Sequence, residues 1–214
     1  LAPNFGGLVG NMYTRLLNDP LPPKTRICPI EDGVVKFSNS ISIPLEPMIG
    51  TIGVSPESEA ISSLTSGPHG GNMDCPDICV GNKLLLPVLT EGALLHLGDV
   101  HAVQGDGEIS GSAIDVSAKC TIQINLQKKK EIRWPRIESK EYIMTIGNCR
   151  PLEDAIRIAF VELIDWLNQE YKFNKIDAYQ LCSQVAKLRV AQMVDPAYTV
   201  AVKFPKKYLP KIKL

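Results

Sequence analysis

All three histidines of this chain, His69, His96 and His101, fall within a single short stretch. Asp74, Asp99, Asp106 and Glu108 lie in or just beyond it, surrounded by glycine. Imidazole and carboxylate together are the ligand set for Zn²⁺ or a similar divalent cation, and a site that uses few protein ligands leaves a position for water. Such a water is a nucleophile near neutral pH, and a spare carboxylate such as Glu108 can take its proton and return it. If Gly98–His101 continues a strand, Asp99 and His101 project to one face at i, i+2. The same spacing recurs at Asp106 and Glu108 beyond the Gly105 turn.

These residues do not all read alike. His96 sits between Leu95 and Leu97 and reads as a packed strand histidine. His69 lies in Gly67-Pro68-His69-Gly70-Gly71-Asn72 with no apolar neighbour to pack against, which favours a functional role. Asp74 fits an Asx turn as well as it fits a ligand. The six cysteines (Cys28, Cys75, Cys79, Cys120, Cys149 and Cys182) are too sparse for a disulfide framework and suit a reducing cytoplasm. The Cys75/Cys79 pair is spaced CxxxC, without the second pair that a zinc knuckle needs, and reads as incidental.

Elements of two kinds must position the cluster. Residues 1–60 are proline-rich with short strand-like runs at 34–37 and 41–44, and 61–82 reads as loop. Apolar runs at 84–89 and 93–97 follow. Between 114 and 127, Ile114, Val116, Ala118, Cys120, Ile122, Ile124 and Leu126 alternate with polar residues without a break. The pattern predicts a strand with its even positions buried, in which Ile122→Ala would cost roughly 2–4 kcal/mol. The last third changes period. Leu152, Ala155, Ile156, Ala159, Phe160, Leu163, Ile164 and Leu167 predict an amphipathic helix opened by Pro151. A second helix is expected from Asp177, with Gln180 completing a capping box and Leu181, Val185 and Leu188 buried. Residues 198–204 alternate as a final strand. The fold class is therefore α+β and β-rich, with antiparallel sandwich-like sheets and a smaller C-terminal α+β part containing two helices. The expected division is 1–147, carrying the His/carboxylate site, and 148–214, packed against it or into the same domain.

Composition excludes several function classes. The chain has 214 residues, 44% of them apolar, enough for a sizeable core. Its 23 basic and 23 acidic residues cancel, so no overall field draws in nucleic acid or an anionic membrane, and no apolar run approaches a membrane span of ~18 residues. Lys128-Lys129-Lys130 and the lysine-rich tail read as solvated faces. The first ~25 residues hold Leu1, Phe5, Leu8, Val9, Met12, Leu16 and Leu17 without a clear partner element, so a homo-oligomer, dimer or higher, or further chain is expected to cover them.

The run GPHGGNMD at 67–74 and the run LPVLTEGALLHLGDVHAVQGDGE at 86–108 resemble the acetamidase/formamidase family of amide hydrolases, as does PMIGTIGVSP at 47–56. The resemblance implies a β-rich, usually oligomeric enzyme that hydrolyses a short carboxamide to ammonia and carboxylate with a divalent metal, Zn²⁺ or Ca²⁺. By motif it carries over His69 and Asp74 from the first box, and Asp99, His101, Gln104, Asp106 and Glu108 from the second. The metal set is then His69, Asp74, Asp99 and His101, and the catalytic set is Glu108, His101, Asp106 and Gln104. Glu108 would move the proton, and Gln104 or an N–H of the Gly105–Gly107 turn would donate to the oxyanion. Val100 and the run 75–79 depart from the family wording, and the resemblance places more chain before residue 1. Two alternatives stand beside this reading: an amidase with Cys75 as nucleophile, and a metal-stabilised binding protein without turnover.

Overall fold

Residues 142–149 and 198–205 pair antiparallel over their whole length, from Tyr142↔Pro205 to Cys149↔Tyr198, and the rest of the chain is layered on that ribbon. The computed structural model describes residues 5–10, 16 and 21–210. In chain order the first strands are β1 (Phe5–Gly10), β2 (Lys24–Glu31), β3 (Val34–Lys36), β4 (Ser42–Pro44), β5 (Met48–Gly53) and β6 (Ser66–Gly67). They are followed by β7 (Gly70–Asn72), β8 (Lys83–Leu85), β9 (His96–His101), β10 (Arg136–Glu138) and β11 (Tyr142–Cys149). Helices α1 (Leu152–Tyr171) and α2 (Lys175–Val185) come next, then β12 (Lys187–Gln192) and β13 (Tyr198–Pro205). The sheets run β1-β2-β3-β4, β6-β7-β5-β9 and β12-β13-β11-β10-β8, and every strand pairing is antiparallel. This is the β-rich α+β architecture that the sequence predicts.

Side-chain alternation on β11 and β13 sets the layers. Ile143, Val200, Val202 and Phe204 face Ala155, Ala159, Leu163 and Leu167 of α1. Met144, Ile146 and Ala201 face the other way, onto Ile52, Met73, Cys75 and Ile78 beside the β6-β7-β5-β9 sheet. The expected division at 147/148 falls inside β11, and β8 and β10 share a sheet with β12 and β13. A nearly dry ion pair joins two of these layers. Arg136 of β10 donates from Nε (2.9 Å) and from a terminal nitrogen (2.7 Å) to Glu162 Oε1 of α1, and both side chains are almost fully buried. The Arg136 guanidinium also stacks 4.8 Å from the Trp166 ring.

Helix α2 starts two residues earlier than its predicted capping box. Asn174 caps it instead, its side chain accepting from Ile176 N–H at 3.0 Å. The helix buries Ala178 and Cys182, whereas Leu188 belongs to β12 and is half exposed. His96 also differs from its expected packing, being exposed at the start of β9.

The largest departure is residues 114–127. Ile114 is buried beside Val35 and Ala102, Asp115 forms bridges with Gly7 and His101, and Val116 N–H donates to Val100 at 2.9 Å. From Ser117 to Lys130 every residue is exposed and no strand forms, with Ile124 and Leu126 exposed by 70% and 67%. Alternation reports which side chains call for cover, but a ladder forms only where a neighbouring strand is present, and β1 and β9 flank only the first three residues. We therefore expect Ile122→Ala to change unfolding free energy by less than about 0.5 kcal/mol, measured by urea titration, because Ile122 is already 42% exposed. Near the N-terminus Leu8 packs beside Cys28 and Val35, while Phe5 and Leu16 are exposed. Leu1, Met12, Leu17 and the Val9 side chain lie outside the described residues.

Candidate active site

The Gly98–His101 run is strand, as its spacing predicts, and it delivers Asp99 and His101 together: His101 Nε2 lies 3.2 Å from Asp99 Oδ1. Asp99 stands opposite Gly50, between the pairs Ile49↔Val100 and Thr51↔Gly98. A Cβ on Gly50 would lie 2.5 Å from Asp74 Oδ1 and 2.7 Å from Asp99 Oδ2. Glycine is required there because two carboxylates close over the bare backbone. Asp74 arrives from the segment after β7, its N–H donating to the Gly50 carbonyl at 3.1 Å. Its Oδ1 is 3.8 Å from His101 Nε2, and Asp115 Oδ1 adds a third carboxylate at 3.5 Å. Asp74 and His101 form a dry floor, and the partly exposed Asp99 and Asp115 form the mouth.

Gln104 fixes the imidazole. Its Nε2 donates to the carbonyls of Asp74 (2.7 Å) and Ala191 (3.1 Å), so its Oε1, 2.8 Å from His101 Nδ1, must accept. Nδ1 therefore carries a proton, and Nε2 is the nitrogen presented to the carboxylates. With all three groups bonded inside the protein, Gln104 is a positioning residue and has no donor left for an oxyanion. The Gly107 N–H is likewise engaged, with Val190 and Ala191 of β12.

Glu108 joins the cluster but Asp106 does not. Residues 105–108 form a turn, with Glu108 N–H donating to Gly105 and Gly107 at φ +88°, so strand alternation fails. Asp106 turns outward to Arg189 Nε at 2.9 Å, while Glu108 is buried. His69 is also elsewhere. Gly53 of β5 pairs with both Gly70 and His96, whereas His101 pairs with Met48 at the other end of that strand. Five residues of extended chain put about 16 Å between the two ends. His69 is enclosed by the β6–β7 hairpin: a Cβ on Gly71 would meet its Nε2 at 2.7 Å. The glycines that made this loop read as a ligand site serve to wrap the buried imidazole. Burial lowers the His69 pKa, and the adjacent His96 lowers it further.

Asp195 carries no local signal beyond the turn-forming pair Asp195-Pro196. It lies in the turn between β12 and β13, with its carboxylate accepting from Asn72 Nδ2 at 2.9 Å. The ligand atoms of Asp74, Glu108 and Asp195 lie within 4.8 Å of one another, as do those of Asp74, Asp99 and His101. His69 belongs to no such group among the described residues.

The electrostatics follow from this crowding. Burial, then Glu108 and Asp195, hold the Asp74 carboxyl well above the usual range. Burial pushes Glu108 up to about 7; His101 opposes the rise, and Asp195, Asp99 and Asp115 add to it. Burial disfavours the charged form of His101, but the hydrogen bond and charge of Asp99 outweigh it and raise the imidazole. Asp99 is lowered, first by its hydrogen bond to His101. Asp74, Asp99 and Glu108 all have positive φ, at 41°, 57° and 46°. Left-handed backbone at three clustered carboxylates is a local cost typical of functional sites.

The donor set fits a divalent cation on two observations: Asp74 Oδ1 is buried with no hydrogen-bond partner, and the Gly50 cradle is a space that a Cβ would fill. Cys75, by contrast, is wholly buried in the core, and burial pushes its thiol up to about 12, leaving essentially no thiolate at neutral pH.

Solved structures carry the same fold. An acetamidase from Yersinia enterocolitica superposes with a TM-score of 0.93 at 44% identity, covering 99% of this chain and 67% of that one. One from Bacillus halodurans gives 0.94 at 33% identity, covering 99% and 72%. The acetamidase of Mycolicibacterium smegmatis is 30% identical over 96 residues, 40% of this chain and 24% of that protein. The aligned stretches span only 17–24% of the curated relatives' length. The model of the Acetamidase/Formamidase family matches residues 55–209, which include every member of the cluster, and the chain belongs to that family.

Proposed function

We propose that the chain carries the hydrolytic centre of an amidase that cleaves a short carboxamide such as formamide or acetamide to ammonia and carboxylate. The observation that carries this reading is His101: Gln104 fixes its tautomer so that Nε2 faces Asp74 and Asp99. Asp74, Asp99 and His101 would hold a divalent cation, Zn²⁺ or Ca²⁺. Such a cation, when bound, polarises an amide carbonyl and makes water a better nucleophile.

The chain's own groups supply the remaining steps. The mouth at Asp99 and Asp115 admits a small polar substrate. Glu108, with a pKa near neutrality, takes the proton of the attacking water and returns it to the departing ammonia. Gln104 keeps His101 in register, and Asp106 acts through Arg189 to hold the turn that carries Glu108.

Ammonia release from formamide and acetamide by metal-stripped and Zn²⁺-reloaded chain tests the proposal. Turnover restored by metal supports it, and metal uptake without turnover would make the chain a binding protein. Cys75→Ala should retain turnover within about threefold. Loss of turnover with unchanged metal content and an unchanged circular dichroism spectrum would instead favour the cysteine nucleophile. All six cysteines are free, consistent with the cytoplasmic location we propose, and no helix among the described residues is long and apolar enough to cross a membrane. The exposed Phe5, Ile124 and Leu126 support the proposal of a homo-oligomer.

A further inference from the structure

We propose that Arg189, anchored by Asp77 and Lys203, is a positioning residue that sets the placement of Glu108 against Asp74; this rests on the hydrolytic reading above. The two carboxylates sit on segments pinned to different sheets. Asp74 is fixed to β5, where its N–H donates to the Gly50 carbonyl and the Ile49 N–H donates to the Ile78 carbonyl of the same loop. The turn bearing Glu108 is fixed to β12, where the Gly107 N–H donates to the Val190 and Ala191 carbonyls and the Met193 N–H donates to the Gly107 carbonyl. These backbone bonds hold each segment to its own strand and leave the relation between the two segments to side chains.

Gln104 spans them on the His101 side, through the Asp74 and Ala191 carbonyls. Arg189 of β12 spans them on the Glu108 side. Its Nε lies 2.9 Å from Asp106 Oδ1, and a terminal nitrogen lies 2.9 Å from Asp77 Oδ2. Asp77 follows Asp74 in the same loop, and Asp106 precedes Glu108 in the same turn. A link at one side alone leaves a hinge, whereas links at both sides fix the separation.

The anchor is better enclosed than an ordinary surface pair. The Asp77 side chain is 13% exposed, and Lys203 Nζ lies 2.7 Å from its Oδ1 and 2.6 Å from its Oδ2. With a cation against both oxygens, the carboxylate cannot turn away from Arg189. A guanidinium reaches two carboxylates at once through separate donors in fixed relation, which an ammonium on a flexible stem does not. The Asp106 end is more than half exposed and adds little to stability, so its loss falls on geometry. The run Cys75-Pro76-Asp77-Ile78-Cys79 thereby acts through its aspartate and not through its thiols.

Amide hydrogen exchange of the metal-free chain, followed residue by residue by NMR, and steady-state turnover of the Zn²⁺-loaded chain test this. In Asp106→Asn and in Arg189→Lys the Gly107 and Glu108 amides should exchange about tenfold faster, while those of Ile143 and Val202 keep their rates. In both variants kcat should fall about tenfold or more with KM within about twofold of the parent. Asp106→Glu should recover most of kcat, and the double variant should lose no more than either single one, because both remove the same link. Unchanged exchange at Gly107 and Glu108 in Asp106→Asn overturns the proposal, as does a rise in KM in place of the fall in kcat, or losses that multiply in the double variant. If Arg189→Lys misfolds by circular dichroism, Asp106→Asn and Asp106→Glu decide by the same two readouts. A parent without turnover removes the hydrolytic reading and leaves the exchange rates to decide whether Arg189 places Glu108.

Discussion

Gly50→Ala is expected to disable the site while leaving the fold in place. The added methyl would stand 2.5 Å from Asp74 Oδ1, 2.7 Å from Asp99 Oδ2 and 2.9 Å from the Asp99 carbonyl. The last of these is backbone and cannot swing aside, so β5 and β9 must part or both carboxylates must turn away from His101. Either movement breaks the ligand geometry, and we expect Zn²⁺ affinity to fall by about 100-fold or more, with amidase turnover falling alongside. The cost to stability is that of overpacking one site, about 1–3 kcal/mol. Competition with a chromophoric chelator measures the first quantity and urea titration the second. Parent-like Zn²⁺ affinity in this variant would show that Asp74 and Asp99 do not act together.

The largest expected loss of stability lies away from the site, at Glu162. Replacing Glu162 by Ala leaves the Arg136 guanidinium, 3% exposed, with only the 3.3 Å contact to Glu170 and the Trp166 ring. Breaking a buried pair from one side costs about 3–5 kcal/mol, because the remaining charge is left in a dry interior. Arg136→Met combined with Glu162→Leu should recover most of that loss. A double variant no more stable than Glu162→Ala in urea titration would show that the pair contributes through something other than mutual neutralisation.

How much of this was legible depends on distance along the chain. Asp99 and His101 could be read because two residues on one strand face have a fixed relation, and α1 could be read because its apolar period is fixed. Residues 105–108 deceived because the same i, i+2 spacing gives no common face once Gly107 turns the chain. Asp195 had no local signal at all. It reaches Asp74 only through the pairing of β12 with β13 and the docking of the 104–107 loop on β12, which no short window contains. Residues 117–127 show the converse, a strong local pattern whose fulfilment needs a neighbour that the described residues do not provide. Glu162 lies between Ala159 and Leu163 on the buried face of α1, and the arrival of Arg136 from β10, with Arg133 just before it, explains a charge there.

The dependence of His101 on Gln104, and of Gln104 on the Ala191 carbonyl, also bears on when the site can exist during synthesis. A ribosome delivers the histidine and its first carboxylates long before it delivers β12. Until that strand is made and docked, the glutamine has one of its two carbonyl anchors missing, the imidazole is free to turn over, and the last carboxylate of the cluster has not been made. A nascent chain therefore holds the ligands without the geometry, and selective cation capture should follow completion of the sheet instead of guiding it.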